Sequence, residues 1–229
     1  SAQYSNVGYL VLSRVIEKVS GMGYEEYLQT NVLWDAGCYD MHIARNYYDE
    51  RYPGEVKYYG HDEERIESFD GSGEMRLREY GGNDIRGLQG AGAWVSSSVE
   101  LLRLVASIDG KPGVPDILSA ESVAEMRNIR RKGDYALGWA RYNASNGSLI
   151  RTGTMSGTCA YIDYRDKGIS YVFLTNTSSY RGASFTNSIG RMVRDAMTRV
   201  KEWPADRDMF VAVPQIETDD TATAPDDIS

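Results

Sequence analysis

Residues 148–174 read SLIRTGTMSGTCAYIDYRDKGISYVFL, and this stretch decides the fold class. It alternates short apolar runs with turns rich in Gly and Asp, which is typical of consecutive β-strands. The turn Asp166-Lys167-Gly168 predicts that the last two runs form a hairpin. With one further run just upstream, the sequence predicts an antiparallel meander of four β segments: Ala136–Trp139, Ser148–Thr152, Cys159–Tyr164 and Ile169–Leu174.

Helical periodicity dominates the regions on either side of this meander. Apolar residues spaced three to four positions apart predict helices at 7–20, Tyr24–Trp34 and 98–109, a short helix after Ser119, and a long amphipathic helix from Ile189 to Trp203. Residues 35–83 lack a clear period and predict a long excursion with small elements, a candidate rim for a cleft. The predicted fold is α+β, with a helical region at about 1–130 and a sheet with its covering helix at about 135–203.

Charge and hydropathy exclude two classes of partner. The 229 residues carry 33 acidic and 25 basic side chains, a net charge of −8, which leaves no basic surplus for nucleic acid. No apolar run approaches the roughly 20 residues of a membrane-spanning helix. Residues 215–229 hold five of the acids and no Lys or Arg, so we predict a domain at 1–203 and an acidic, flexible tail at 204–229.

Metal-binding patterns are also missing from the sequence. Cys38 and Cys159 lie far apart and belong to neither a Cys-x-x-Cys motif nor a His cluster. The acidic run Asp62-Glu63-Glu64 lacks the alternating ligand spacing of a calcium loop. We therefore predict no metal site and no cofactor.

Three short segments could carry chemistry: Tyr4-Ser5-Asn6, Gly90–Ser97 and Arg151–Gly157. Taken alone, the first is weak, since Tyr4 could be a partly buried tyrosine at a helix start and Asn6 an ordinary helix N-cap. Ser97-Ser98-Val99-Glu100 has capping-box spacing. Ser156 misses the Gly-x-Ser-x-Gly nucleophile elbow by one position, so we interpret it as a turn residue.

The order of these segments resembles serine β-lactamase-like and penicillin-binding proteins. Tyr4-Ser5-Asn6 at the start of an apolar helix is similar to the second motif of that family. Gly92–Leu102 resembles the following helix start in the class C-like branch, and Arg151-Thr152-Gly153-Thr154-Met155-Ser156-Gly157 resembles its third motif. The resemblance runs from Tyr4 to about Val200 and implies a β-lactamase/transpeptidase-like fold.

The family's first motif, Ser-x-x-Lys, has no match in the chain. None of the six lysines follows a serine by three positions, and Thr198-Arg199-Val200-Lys201 lies at the wrong end of the sequence. By resemblance, we expect an incomplete domain whose nucleophile-bearing part lies outside these residues. We expect an N-terminal fragment, a partner chain or a swapped homo-oligomer to complete the sheet, whose strands would otherwise present an unpaired edge.

The resemblance implies a role for each motif residue. Tyr4 would share the proton transfer that activates the serine, provided that nearby cations such as Arg151 stabilise its phenolate. Asn6 would hydrogen-bond the amide carbonyl of the substrate or the lysine and so fix orientation, and the Thr154 backbone N–H would join the oxyanion hole. Gly153 would let the substrate approach the strand, and Thr152 would offer its hydroxyl to a substrate carboxylate.

Arg151 departs from the family pattern, which has lysine or histidine at this position. Because a guanidinium keeps its proton, Arg151 suits a bidentate carboxylate clamp better than acid–base catalysis, although it could also face solvent. The function implied is a serine hydrolase part acting on a small-molecule or peptide substrate, an amide, β-lactam or ester, through an acyl-enzyme. The alternative is a non-catalytic binding module that retains the cleft. By resemblance the protein would be periplasmic or secreted.

Overall fold

The computed structural model describes residues 4–128, 136–143, 147–204 and 206–210. Within these ranges, none of the helices combines the length and hydropathy needed to cross a membrane. The α-helices are α1 Asn6–Ser20, α2 Tyr24–Leu28, α3 Gln89–Gly92, α4 Ser98–Ala106, α5 Ala120–Arg127 and α6 Ala183–Met197. The strands are β1 His42–Ile43, β2 Arg65–Glu67, β3 Met75–Leu77, β4 Trp94–Val95, β5 Arg141–Asn143, β6 Ser148–Met155, β7 Thr158–Tyr164 and β8 Tyr171–Thr175.

The predicted meander is confirmed as an antiparallel sheet of order β5-β6-β7-β8. Strands β6 and β7 are joined by the tight turn Ser156-Gly157, where Gly157 adopts φ +77°. The hairpin around Asp166-Lys167-Gly168 is confirmed between β7 and β8. The predicted strand Ala136–Trp139 is wrong: this run forms a turn with a single bridge, and the strand lies later, at β5.

Helix α6 covers one face of this sheet. A Cβ on Gly190 would lie 2.5 Å from Cε2 of Tyr161, so glycine allows the helix to pack directly on the strand. The Tyr171 hydroxyl donates to the Gly190 carbonyl at 2.8 Å. The covering helix is confirmed, but the predicted range from Ile189 to Trp203 is wrong, because the helix begins at Ala183 and ends at Met197.

The helical region packs against the other side of the sheet. Its first helix contacts α3, since a Cβ on Gly90 would lie 2.4 Å from the Tyr9 carbonyl oxygen. The predicted helix at Tyr24–Trp34 is α2 followed by a π-helical turn at Gln29–Leu33. The predicted helix at 98–109 ends earlier, at Ala106. Between α2 and α3 the chain makes only short elements, as predicted for the excursion at 35–83.

Two surfaces of the described chain have exposed apolar or unpaired groups. Helix α1 carries exposed Val7, Val11, Val15 and Val19, spaced four residues apart, together with Leu12. Strand β8 is the last strand of its sheet, and beyond it the Tyr59 N–H donates to the Asn176 carbonyl at 3.0 Å. In the described residues, the outer side of β8 is thus left without a neighbouring strand, and only the isolated bridge between Tyr59 and Thr177 lies next to its end. Residues 129–135 and most of the predicted tail, 211–229, lie outside the described residues.

Candidate active site

Arg151 brings the first and third candidate segments together in one site. Its guanidinium carbon lies 5.7 Å from the ring centroid of Tyr4 and 5.6 Å from that of Tyr9. Tyr4 precedes α1 and Tyr9 lies in its second turn, while Arg151 projects from β6. Guanidinium groups are attracted to aromatic faces at this separation. The first and third candidate segments therefore meet in space, as the resemblance implies.

The start of α1 leaves Tyr4 accessible. The Ser5 hydroxyl accepts a hydrogen bond from the Gly8 N–H at 3.0 Å and caps the helix. Asn6 is the first helical residue, so the alternative in which Asn6 is the N-cap is wrong. Tyr4 is 53% exposed, which also contradicts a partly buried tyrosine. Both side chains are available to a ligand.

The backbone of β6 has a free edge beside Thr154. The Ile150 carbonyl accepts from the Ala140 N–H at 2.9 Å, so the backbone groups of Ile150 point away from β7. Backbone direction alternates along an antiparallel strand, which places the N–H groups of Thr152 and Thr154 on this same side. Strand β5 pairs with β6 only as far as Ile150. Within the described residues, the strand edge at Thr154 therefore has no neighbouring strand.

Side chains along β6 alternate between the two faces of the sheet. The Thr154 hydroxyl lies 2.6 Å from that of Thr186, a fully buried residue of α6. Thr152 shares this face, whereas Arg151 and Gly153 share the opposite one. A Cβ on Gly153 would meet only the Ala160 Cβ, at 3.8 Å, so the strand is open to close approach there.

A cavity of about 620 Å³ opens next to the third candidate segment. Its walls come from β6, from the segment between β4 and α4, and from the excursion after α2; they include Gly153, Thr154, Trp94, Ser97, His42, Tyr52, Glu55 and Tyr58. A cavity of this size could hold a drug-sized ligand or a bulky protein segment. The predicted rim of the cleft thus contributes to the cavity wall.

Hydrogen bonds fix the wall that the excursion supplies. The Tyr58 hydroxyl donates to the Glu55 carboxylate at 2.7 Å, and the Tyr58 backbone N–H donates to the Tyr80 hydroxyl at 2.6 Å. Burial, and then the hydrogen bond to Glu55, raise the pKa of Tyr58 well above its usual range. Tyr58 therefore stays neutral at physiological pH and acts as a structural donor.

Only half of the predicted capping box forms at α4. The Ser97 hydroxyl accepts from the Glu100 N–H at 3.1 Å, as predicted. The Glu100 carboxylate instead accepts from the N–H groups of Tyr39 and Asp40, at 2.7 and 3.0 Å. Glu100 thereby attaches the Tyr39–Asp40 segment, which leads into β1, to α4.

Two residues that contact the candidate site, Tyr9 and Thr186, were not predicted from the sequence. Tyr9 contacts Arg151, and its spacing from Tyr4 gave no signal because the two residues meet only through a distant strand. Thr186 contacts Thr154 from a helix whose first half is rich in small polar residues. Within the described residues, no group of three or more His, Cys, Asp or Glu is placed to hold a metal ion.

Comparison with known proteins places these features in a family. The Beta-lactamase family model matches residues 1–188. Penicillin-binding protein 4* of Bacillus subtilis (strain 168) is 25% identical over 183 residues, which cover 76% of this chain and 39% of that protein.

Solved structures show the same fold. A penicillin-binding protein from Bacillus halodurans aligns with a TM-score of 0.57 and 18% identity, over 83% of this chain and 56% of that one. The D-amino acid amidase of Ochrobactrum anthropi SV3, in complex with D-phenylalanine, aligns with a TM-score of 0.60 and 19% identity, over 86% and 59%. The chain thus spans between 39% and 59% of the length of these three relatives.

Proposed function

Because the chain belongs to the Beta-lactamase family, we propose that it forms the part of a serine hydrolase that bears the tyrosine motif and the substrate-binding strand. The hydrolase acts on an amide, peptide, β-lactam or ester bond through an acyl-enzyme. The contact between Arg151 and Tyr4 carries this proposal, because it brings the two motif segments into one site. The nucleophilic serine and its lysine come from a segment outside this chain.

The proposed chemistry assigns a role to each group. Tyr4 accepts the serine proton and returns it to the leaving group, helped by the positive charge of Arg151. Asn6 orients the substrate amide. The Thr154 N–H, on the free edge of β6, is one oxyanion-hole donor, and such a donor contributes about 2.7–4 kcal/mol in the transition state.

Arg151 sets the proposed substrate class. Its guanidinium is held by two aromatic rings next to the open strand at Gly153, where it can bind a carboxylate with two parallel hydrogen bonds. The substrate therefore carries a free carboxylate near the scissile bond. Thr152 belongs to the proposed site through its backbone groups, which share the free edge with those of Thr154, rather than through the hydroxyl first expected to contact the carboxylate.

The proposed partner of this chain is the segment that brings the nucleophile. The cavity beside Gly153 and Thr154 is large enough for a bulky protein segment. In the part of the chain that the structure describes, no strand occupies the outer edge of β8, so a strand of that segment can pair there. An N-terminal fragment, a partner chain or a swapped copy can each fill this role. Alone, the chain is expected to be inactive. The family favours a periplasmic or secreted location.

A non-catalytic binding module is the second candidate function. It is favoured by one observation, that none of the six lysines follows a serine by three positions. A module of this kind would keep the Arg151 site and bind carboxylate ligands without turnover.

Hydrolysis assays on the longest form of the protein separate the two functions. The panel contains nitrocefin, an acyl-D-alanyl-D-alanine peptide, phenylalaninamide and p-nitrophenyl acetate, with Tyr4→Phe as the control variant. Turnover that falls in the variant supports the hydrolase. Absence of turnover on all four substrates, together with reversible binding of a carboxylate ligand that Arg151→Gln removes, supports the binding module instead.

A further inference from the structure

A second cavity lies on the face of the sheet opposite to Arg151, between the sheet and α6. Its volume is about 380 Å³. Ile150 and Tyr161 contribute from the strands, and Ser184, Ser188, Arg191 and Arg194 contribute from the helix. We call this space the α6 cavity. None of the residues assigned to the candidate active site lines it.

The helix face at this cavity carries a ladder of hydrogen-bond donors. Ser184, Ser188 and Arg191 are spaced at i, i+4 and i+7, so they lie on one face of α6. The Ser188 hydroxyl donates to the Ser184 carbonyl at 2.8 Å, and an Arg191 Nη2–H donates to the Ser188 hydroxyl at 3.0 Å. This chain of hydrogen bonds orients the Arg191 guanidinium along the cavity wall.

The charge of the α6 cavity is positive, although the chain as a whole carries −8. Arg191 and Arg194 are its two formally charged lining side chains. Among the residues that the structure describes, neither arginine forms an ion pair. Asp163, a buried acid on the same face of the sheet, is already bound at both oxygens by Arg165, at 3.1 Å each. The two guanidinium charges are thus available to an external anion.

We propose that the α6 cavity binds a phosphate group, as inorganic phosphate or as a small phosphomonoester. A phosphomonoester carries nearly two negative charges at neutral pH, which match two guanidinium groups, whereas a single carboxylate would leave one unmatched. The tetrahedral oxygens can accept hydrogen bonds from Arg191, Arg194 and the Ser184 hydroxyl at the same time, whereas the Ser188 hydroxyl already donates to the Ser184 carbonyl. The cavity has room for a small organic group attached to the phosphate. This site is independent of the proposed hydrolase activity.

Calorimetric titration of the full 229-residue chain tests the proposal, with inorganic phosphate and glycerol 3-phosphate as probes and with glycerol and succinate as controls. One-to-one binding of one or both phosphate probes is expected. Stronger binding of glycerol 3-phosphate identifies a monoester as the ligand, and equal binding identifies the phosphate group alone. Arg191→Gln and Arg194→Gln should each weaken binding by about tenfold or more, as expected for loss of a charged hydrogen bond. Arg199→Gln, an exposed arginine outside the cavity, should leave binding unchanged.

Three results would overturn the proposal. The first is absence of phosphate binding by a chain that thermal melting shows to be folded. The second is binding of succinate as tight as that of glycerol 3-phosphate. The third is phosphate binding that persists in the Arg191→Gln, Arg194→Gln double variant. Because turnover is not measured, failure here leaves the hydrolase proposal unaffected.

Discussion

The guanidinium carbon of Arg151 lies 5.7 Å from the ring centroid of Tyr4. Tyr4 lies just before helix α1 at the start of the chain, whereas Arg151 lies in strand β6 of the central sheet. Tyr9 contacts the same guanidinium from the second turn of α1. A guanidinium in this position can bind the carboxylate of a substrate while it contacts both rings. The proposed acid–base residue and the proposed substrate clamp are therefore coupled through one side chain.

Arg151→Gln should weaken substrate binding more than it slows chemistry. Loss of a charged hydrogen bond costs about 1.5–3 kcal/mol, so KM for a carboxylate-bearing substrate should rise by roughly 10- to 150-fold in the complete enzyme. A matched substrate whose carboxylate is replaced by an amide should show little change in KM, whereas loss of the charge that helps Tyr4 should lower kcat on both substrates alike. Arg181→Gln, an exposed arginine that stacks on its neighbour Tyr180, is the control. An equal rise of KM on both substrates would contradict the carboxylate clamp.

Tyr4→Phe should lower kcat in the complete enzyme by about 10²- to 10⁴-fold, the range for loss of a general acid–base group. The substitution keeps the aromatic ring beside Arg151 and removes only the hydroxyl. Tyr9→Phe is the matched control, because it makes the same change on the other side of the guanidinium. Steady-state kinetics on both variants separate the roles. Comparable losses of kcat in the two variants would contradict the assignment of Tyr4 as the acid–base residue.

Thr154→Val separates the backbone role of this residue from its side-chain role. The hydroxyl bonds that of buried Thr186 at 2.6 Å, so its loss should reduce the free energy of unfolding by about 1–3 kcal/mol. The backbone N–H proposed for the oxyanion hole remains, and kcat should change by less than about threefold. Urea unfolding and kinetics provide the two measurements. A loss of kcat of about 10²-fold without loss of stability would instead place the hydroxyl in the reaction.

Cys38 should make stability fall at alkaline pH. Burial, and then the nearby Glu100 carboxylate, raise the pKa of this thiol to about 11. An unfolded cysteine ionises near pH 8.5, so between about pH 9 and 11 only the unfolded chain loses this proton, and the free energy of unfolding decreases as the pH rises. Below this window the thiol is protonated in both states and has no such effect.

Urea unfolding at pH 8 and pH 10 measures the Cys38 contribution. Between pH 8 and pH 10, the free energy of unfolding of the unsubstituted protein should fall by on the order of 1 kcal/mol more than that of the Cys38→Ala variant. Because only the change in stability between pH 8 and pH 10 is compared, the separate cost of the cavity that alanine leaves cancels. If the free energy of unfolding changes equally in the two proteins between pH 8 and pH 10, Cys38 ionises alike in the folded and unfolded states.

The sequence predicted the parts of the fold that local patterns determine. Alternation in residues 148–174 and apolar periodicity in α1 and α4 indicated their elements. In α1 the pattern predicted the helix but not its burial, because Leu12, Val15 and Val19 are exposed. Ala136–Trp139 misled because its apolar residues suggest a strand, whereas Gly138 adopts φ +80° and turns the chain. The first turns of α6 were missed because their residues are small or polar, and Thr186 packs against the sheet through its hydroxyl rather than through an apolar side chain.

Features that depend on distant contacts could not be predicted from residue spacing. Glu100 follows the capping-box pattern, but its carboxylate binds the N–H groups of Tyr39 and Asp40 instead. The grouping of Tyr4 with Arg151 followed from family resemblance rather than from local pattern. Tyr9 was missed because an aromatic residue on an amphipathic helix is typical of packing, and its partner lies on another element.

Intact-mass analysis after treatment with a fluorescent penicillin shows which segment carries the nucleophile. The purified 229-residue chain and the longest form of the protein are treated in parallel, and any adduct is located by peptide mapping. We expect no adduct on the chain alone, and one acyl group in the longer form, on a serine outside these 229 residues. An acyl group on any serine of the chain itself would contradict the claim that the nucleophile is supplied by another segment.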